Sequence, residues 1–274
     1  MILDGKEVAG KIYEDIKNKI NTLEKKPGLG VILVGNSPAS LSYISQKEKW
    51  AKYVGLNFYL TKLNEDISQD KLEKEIIKFN EDKKISGFIV QLPLPKHINE
   101  QKIINLINPA KDVDGFTKEN IGKLFLGDNS GLISCTPKGI KRLLEQYNIS
   151  LVGKNVVIIG RSNIVGKPLS MLFINEGATV TVCNSKTRNI KEYTIIADIV
   201  VSAVGKPNIV TKDMINPGSI IIDVGFNKIN GKIMGDCDFE SLQGENYITP
   251  VPGGVGPMTV AMLIENTYLA FLRN

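Results

Sequence analysis

The sequence predicts an α/β protein of two domains, each a parallel sheet covered by helices. Three observations carry this expectation. Short apolar runs alternate with longer segments whose apolar residues recur every three and four positions. A length of 274 residues exceeds one small core and suits two. A loop-like stretch at residues 127–134 breaks the alternation near the middle of the chain.

In chain order, residues 8–23 have helical apolar spacing, 30–34 read as a strand, 39–53 as a helix, 57–62 as a strand, 69–79 as a helix and 87–92 as a strand. After the break comes Cys135-Thr136-Pro137, where Pro137 suits the first turn of a helix over 138–147. The second series follows: strand 155–159, helix 166–175, then strands at 179–183, 199–204 and 219–224. Residues 227–234 suggest a hairpin around Asn230-Gly231. A last apolar helix covers 257–271. The chain shows no internal repeat and no low-complexity segment.

Composition narrows the function classes. Hydrophobic residues at 42% and charged residues at 23% match a globular protein. The longest apolar stretches are interrupted by Asp198 or by glycine, so no membrane-crossing segment is expected. Asp4 and Glu7 stand where a signal peptide needs basic residues, which leads us to expect a cytoplasmic protein. The net charge of +5 is dispersed, without an Arg-rich stripe, and argues against nucleic acid as a partner. Cys135, Cys183 and Cys237 lie too far apart for a disulfide framework or a zinc site built from close pairs, and no metal is expected. His97 is the only histidine and is read as a loop residue.

The second half carries a candidate dinucleotide site. A strand at 155–159 feeds Gly160-Arg161-Ser162-Asn163-Ile164-Val165-Gly166 and then a helix, the order in which a pyrophosphate meets a helix start. It is a variant: Gly166 comes six residues after Gly160 and Ser162 replaces the middle glycine, so an ordinary strand-to-helix turn is the competing reading. The next strand ends at Cys183-Asn184-Ser185-Lys186-Thr187-Arg188, without the carboxylate that an NAD site places against the ribose 2′-hydroxyl. Hydroxyls and cations, with Arg161, favour a 2′-phosphate, hence NADP over NAD.

The first half offers Ser40, Tyr43 and Lys47 on one face of a helix, and Gln91-Leu92-Pro93-Leu94 just past a strand, at the carboxyl edge where open parallel sheets bind ligands. The helix face could also be the edge of a buried stripe with Lys47 reaching to water. Asp112-Val113-Asp114-Gly115 reads either as a metal-binding pair lacking a third ligand or as a turn. Residues 252–259, Pro-Gly-Gly-Val-Gly-Pro-Met-Thr, permit close backbone approach before a helix, or simply cap it.

Taken together, Ser40-x-x-Tyr43-x-x-x-Lys47, Gln91-Leu92-Pro93-Leu94, Asp112-Val113-Asp114-Gly115, Cys135-Thr136-Pro137-Lys138-Gly139, Gly160-Arg161-Ser162 and the 252–259 segment resemble the bifunctional methylenetetrahydrofolate dehydrogenase/cyclohydrolase family over essentially the whole chain. The resemblance implies an amino-terminal α/β folate-binding domain, residues 1–135 completed by a returning helix at 259–274, and a Rossmann-like NADP domain at 136–258, with a folate cleft between the halves. It implies NADP-dependent oxidation of 5,10-methylenetetrahydrofolate and hydrolysis of the methenyl product to 10-formyltetrahydrofolate, in a homodimer. Lys47, Gln91, Tyr43 and Asp114 would be the catalytic set. Substrate would be bound by Ser40, Tyr43, Gln91, Leu92, Pro93, Asp114, Pro252, Gly253 and Gly254. The cofactor would be held by Gly160, Arg161, Ser162, Val165, Gly166, Ser185, Gly205, Gly225, Gly256 and Thr259. Asn184 stands where many relatives carry histidine, which touches the detail of the 2′-phosphate contact. The length also leads us to expect that formate activation belongs to another protein. Competing readings are a dehydrogenase without hydrolase activity, a non-catalytic NADP(H) sensor, and an NADP oxidoreductase of a small carbonyl compound.

Overall fold

The computed structural model describes residues 1–229 and 231–273, with nothing stated of the Ala39 side chain. Two compact units emerge: residues 10–135 with 260–273, and residues 1–9 with 136–259 apart from Asn230.

The first unit is built on a parallel sheet of β1 (Gly28–Val34), β2 (Asn57–Leu63) and β3 (Gly87–Val90) in the order β2-β1-β3. Central β1 is buried along its whole length, as its unbroken apolar sequence requires. Helices α1 (Gly5–Asn21, of which residues 10–21 belong here), α2 (Pro38–Val54) and α3 (Gln69–Glu81) connect or cover the strands. Proline at the start of α2 needs no donor, and Gly55 at φ +87° ends the helix, donating its N–H to Ala51 and Lys52 carbonyls. One core cluster joins Ile32 and Val34 to Leu72, Ile76 and Phe79 of α3 and to Phe88 of β3. Trp50, the only tryptophan, stacks on Tyr13 of α1 with ring centroids 4.1 Å apart. Two short helices, α4 (Glu100–Ile104) and α5 (Lys118–Phe125), were not anticipated. At five and eight residues they are too brief to develop a periodic stripe, and side chains of Asn99 and Thr117 cap them by accepting from Lys102 and Asn120 N–H.

The second unit begins with α6 (Cys135–Gln146, from Thr136). Its parallel sheet contains β4 (Asn155–Ile159), β5 (Thr179–Cys183), β6 (Ile199–Ser202) and β7 (Ile220–Asp223). Helix α7 (Gly166–Asn175) follows β4, and α8 (Lys191–Thr194) precedes β6. An antiparallel hairpin of β8 (Asn227–Ile229) and β9 (Lys232–Met234) forms as anticipated, although Asn230 of the expected turn lies outside the described residues. After α9 (Phe239–Leu242), the short β10 (Tyr247–Ile248) completes the order β10-β7-β6-β4-β5. The amino terminus lies along β10, with Leu3 N–H on Ile248 O at 2.9 Å and the Met1 ammonium on Asn246 O at 2.8 Å. Strand β6 stops two residues before its anticipated end: Ala203 N–H still reaches Ile159 O at 2.9 Å, but Val204 N–H turns to the buried carboxylate of Asp236 at 2.8 Å.

Helix α10 (Val255–Arg273) is long and apolar enough by composition to cross a membrane, contrary to the sequence expectation. Ala261 to Ile264, Asn266 and Thr267 are nevertheless buried in the fold. Asn266 Nδ2 donates to Val113 O and Ile133 O, both at 2.9 Å, and Thr267 Oγ1 to Leu263 O. A buried, satisfied amide on such a helix is the mark of a core element.

Candidate active site

Helix α2 follows β1 and presents Ser40, Tyr43 and Lys47 on successive turns; Ser40 is buried and Tyr43 remains 42% exposed. Gln91 leaves β3 with its N–H still bonded to Ile32 O at 2.8 Å, so the sheet itself fixes where the side chain starts. Lys47 Nζ donates to Gln91 Oε1 at 2.9 Å. The other end of that amide donates from Nε2 to Leu92 O at 2.8 Å, which fixes its orientation and presents an acceptor to the lysine. The amide NH₂ therefore serves the Leu92 carbonyl. The Leu92–Pro93 peptide is cis.

The two aspartates separate in role. Asp112 is buried and accepts from Gly115 N–H (3.0 Å), Thr117 N–H (2.8 Å) and Asn120 Nδ2 (2.9 Å), so it holds a turn, the competing reading of the pair. That turn aims Asp114 elsewhere, half-buried, with Cys135 Sγ 3.9 Å from its Oδ1. Gly115 at φ +70° fits under Leu132 O, where a Cβ would come within 2.7 Å, so the turn admits only glycine. Among the described residues no group of three acids, cysteines or histidines could hold a metal.

Electrostatically, Lys47 and Asp114 are linked. Burial lowers the Lys47 pKa, opposed by the charges of Asp114 and Cys135. Burial pushes the Asp114 carboxyl up to about 6, against the pull of Lys47. Each is thus poised nearer neutrality than an exposed counterpart. Tyr43 is also raised, by burial. His97, by contrast, is an exposed loop residue whose Nε2 meets Ile67 O at 2.9 Å.

In the other unit, Gly160 follows β4 at φ +123°, and a Cβ there would lie 2.5 Å from Ala203 O. Gly166 opens α7 so close to the turn that a Cβ would lie 2.1 Å from Gly160 O. Strand, turn and helix start consequently pack backbone on backbone, the tight packing expected for a dinucleotide pyrophosphate. Ser162 shapes the turn, its Oγ accepting from Val165 N–H at 3.1 Å. Arg161 and Ser185 are exposed at the loops after β4 and β5. Asn184 builds the second loop, donating its N–H to Thr187 Oγ1 and accepting from Lys186 N–H through Oδ1, both at 3.0 Å.

The 252–259 segment has a specific reason for its glycines. A Cβ on Gly5 would sit 1.9 Å from Gly254 O, and Lys6 N–H donates to Gly253 O at 2.9 Å. The close approach this segment permits is thus in part to the chain's own first helix. Pro252 and Gly256 are exposed, and Thr259 Oγ1 meets Thr136 Oγ1 at 2.9 Å and Val255 O at 3.2 Å. Gly205 (φ +65°) is exposed and Gly225 buried. Sequence reasoning quoted Cys135 in a motif without giving it a role and missed Asn266 and the buried carboxylates Asp223 and Asp236, most of whose partners are far along the chain and leave no local pattern.

Comparison with known proteins extends the geometry. The tetrahydrofolate dehydrogenase/cyclohydrolase catalytic-domain family matches residues 3–114, and its NAD(P)-binding-domain counterpart matches residues 134–274. The bifunctional protein FolD of Hydrogenobaculum sp. (strain Y04AAS1) is 52% identical over 272 residues, covering 98% of each chain. The crystal structure of the bifunctional enzyme FolD from Campylobacter jejuni aligns with a TM-score of 0.98 at 46% identity, over 100% of this chain and 99% of that one. The Trypanosoma brucei enzyme, solved with NADP and an inhibitor, aligns with a TM-score of 0.96 at 36% identity, over 100% and 97%.

Proposed function

The chain belongs to the tetrahydrofolate dehydrogenase/cyclohydrolase family, and from that premise we propose how its residues divide the work. The enzyme is bifunctional: it oxidises 5,10-methylenetetrahydrofolate with NADP and hydrolyses the methenyl product to 10-formyltetrahydrofolate.

Lys47 is the base for hydrolysis. Methenyltetrahydrofolate is a delocalised cation, and an ammonium beside it would repel it. Burial favours the neutral amine, which can take a proton from the attacking water. Gln91 holds that amine in place by accepting from it without adding charge, and Leu92 O holds Gln91. Tyr43 offers a partly exposed ring to the flat substrate and a hydroxyl to the same network. Ionised Asp114 pairs with the adjacent N–H donors of the amino-pyrimidinone. Ser40, Leu92 and Pro93 line the same helix face and loop, and Pro252, Gly253 and Gly254 complete the substrate set.

The bare packing of Gly160 against Gly166 fits a dinucleotide, and Arg161, Ser162, Val165, Ser185, Gly205, Gly225, Gly256 and Thr259 make up the rest of its site. When bound there, NADP supplies the hydride acceptor. Arg161 and Ser185 receive the 2′-phosphate by charge-assisted hydrogen bonds. A homodimer and a cytoplasmic location belong to the same reading.

The 2.9 Å Lys47–Gln91 contact carries the hydrolase assignment. Lys47→Met is expected to abolish methenyl hydrolysis while NADP still binds. Hydrolysis at the parental rate would remove Lys47 from the mechanism.

A further inference from the structure

The loops after β6 and β7 carry Gly205 and Gly225, and one side chain outside the assigned site fastens both. Asp236 is fully buried. Its Oδ2 accepts from Ser202 Oγ (3.1 Å), Val204 N–H (2.8 Å) and Gly205 N–H (3.2 Å). Its Oδ1 accepts from Lys206 N–H (2.9 Å) and Asn227 Nδ2 (3.2 Å). Three consecutive backbone amides thus converge on one carboxylate, an arrangement that stabilises a buried anion without a cation. The β7 loop packs on the same group, since a Cβ at Gly225 would lie 2.1 Å from Asp236 Oδ1. Asp223, also buried, steadies the assembly by accepting from Gly225 N–H and Asp236 N–H, both at 2.9 Å, and from Cys237 N–H at 2.8 Å. The interlock is mutual, because a Cβ at Gly235 would meet Asp223 Oδ2 at 1.9 Å.

We propose that Asp236 is a positioning residue for the oxidation step: its carboxylate orders Val204 to Lys206 and seats the Gly225 turn, so that NADP meets a preformed surface. This rests on the reading that Gly205 and Gly225 face the cofactor. Hydrolysis at Lys47 takes no hydride acceptor and is indifferent to Asp236.

Asp236→Asn is the sharpest test, because the shape is kept while the acceptor count falls. With its amide nitrogen at the Oδ2 position, two backbone N–H groups would face a donor. With the nitrogen at Oδ1, Lys206 N–H and Asn227 Nδ2 are opposed, because Asn227 also donates to Gly235 O at 3.0 Å and cannot turn its amide without losing that bond, so either orientation leaves part of the 204–206 loop without its acceptor. The dissociation constant for NADP, measured by calorimetry, is expected to rise about tenfold, the equivalent of one hydrogen bond to a charged group. Deuterium exchange at 204–206 in the cofactor-free enzyme is expected to accelerate. Methenyl hydrolysis without NADP is expected to stay within about twofold, as for sites that share no partner. An unchanged dissociation constant with unchanged exchange, or a parallel loss of both activities in folded protein, overturns the proposal. Should Asp236→Asn fail to fold, Asn227→Ala removes one donor to Asp236, together with the bond to Gly235 O, and keeps the charge. There the expected rise is about threefold, and none would be equally decisive. Wild-type exchange separates the two ideas. If NADP does not protect residues 204–206 and 225, the cofactor reading fails; if it protects them while the variants bind NADP normally, positioning alone fails.

Discussion

Replacing Gln91 by glutamate tests whether the lysine works as a neutral base. The substitution puts a carboxylate where Lys47 Nζ now donates at 2.9 Å. Two unit charges at that separation attract by about 6 kcal/mol at an effective dielectric of about 20. Much of this is offset, since the new carboxylate loses water and faces the Leu92 carbonyl with no proton to give. What remains matches the usual effect of a close opposite charge, a rise of about 1 to 3 pH units in the Lys47 pKa. The amine is active only above its pKa, which burial holds down, so restoring the ammonium moves the rising limb of hydrolysis to higher pH. At neutral pH the rate should fall by about ten- to thousandfold. Initial rates of methenyl consumption, corrected for spontaneous hydrolysis and taken from about pH 6 to about pH 9, locate the limb. Asp114→Asn supplies the opposite arm, because Asp114 supports the ammonium and its loss should move the limb down. A limb that stays put in folded Gln91→Glu, or that moves the same way in both variants, would refute the neutral-base argument.

Two further outcomes follow from the geometry. The Asp114 carboxyl is pushed up to about 6, so it takes up a proton as pH falls through that value and ceases to be a two-fold acceptor. Folate affinity should then drop about tenfold per pH unit below it, as measured by ligand titration, and the slope should vanish in Asp114→Asn; an identical slope in both would exclude Asp114 as its origin. Gly166→Ala would place a Cβ 2.1 Å from Gly160 O, an overpacking expected to destabilise by about 1–3 kcal/mol and to weaken NADP binding. An unaltered denaturant midpoint would show that the turn yields without strain.

The alternating elements were legible because their strands are nearly continuous apolar runs, as in β1 and β4, and their main helices carry clear stripes. Short helices such as α4, α8 and α9 escaped, because four or five residues are too few to develop a periodic stripe, and of the three only α4 has a side-chain cap. Ser40, Tyr43 and Lys47 could be placed on one face from spacing alone. That Lys47 reaches Gln91, 44 residues away, is a fact of sheet order that no local window contains. Gly225 illustrates the opposite difficulty: its glycine identity fits a cofactor turn, yet the space beside it is filled by Asp236. The aspartates likewise look alike in Asp112-Val113-Asp114, and only the backbone donors around Asp112 tell them apart.

The stacking of Trp50 on Tyr13 gives this protein a built-in optical probe. Its sole indole sits one turn beyond Lys47 on α2, clamped between Tyr13 on one side and the edge contact of Tyr53 on the other. Indole emission from unlabelled enzyme therefore reports on α2, three residues along the helix from Lys47, without a second tryptophan to confuse it.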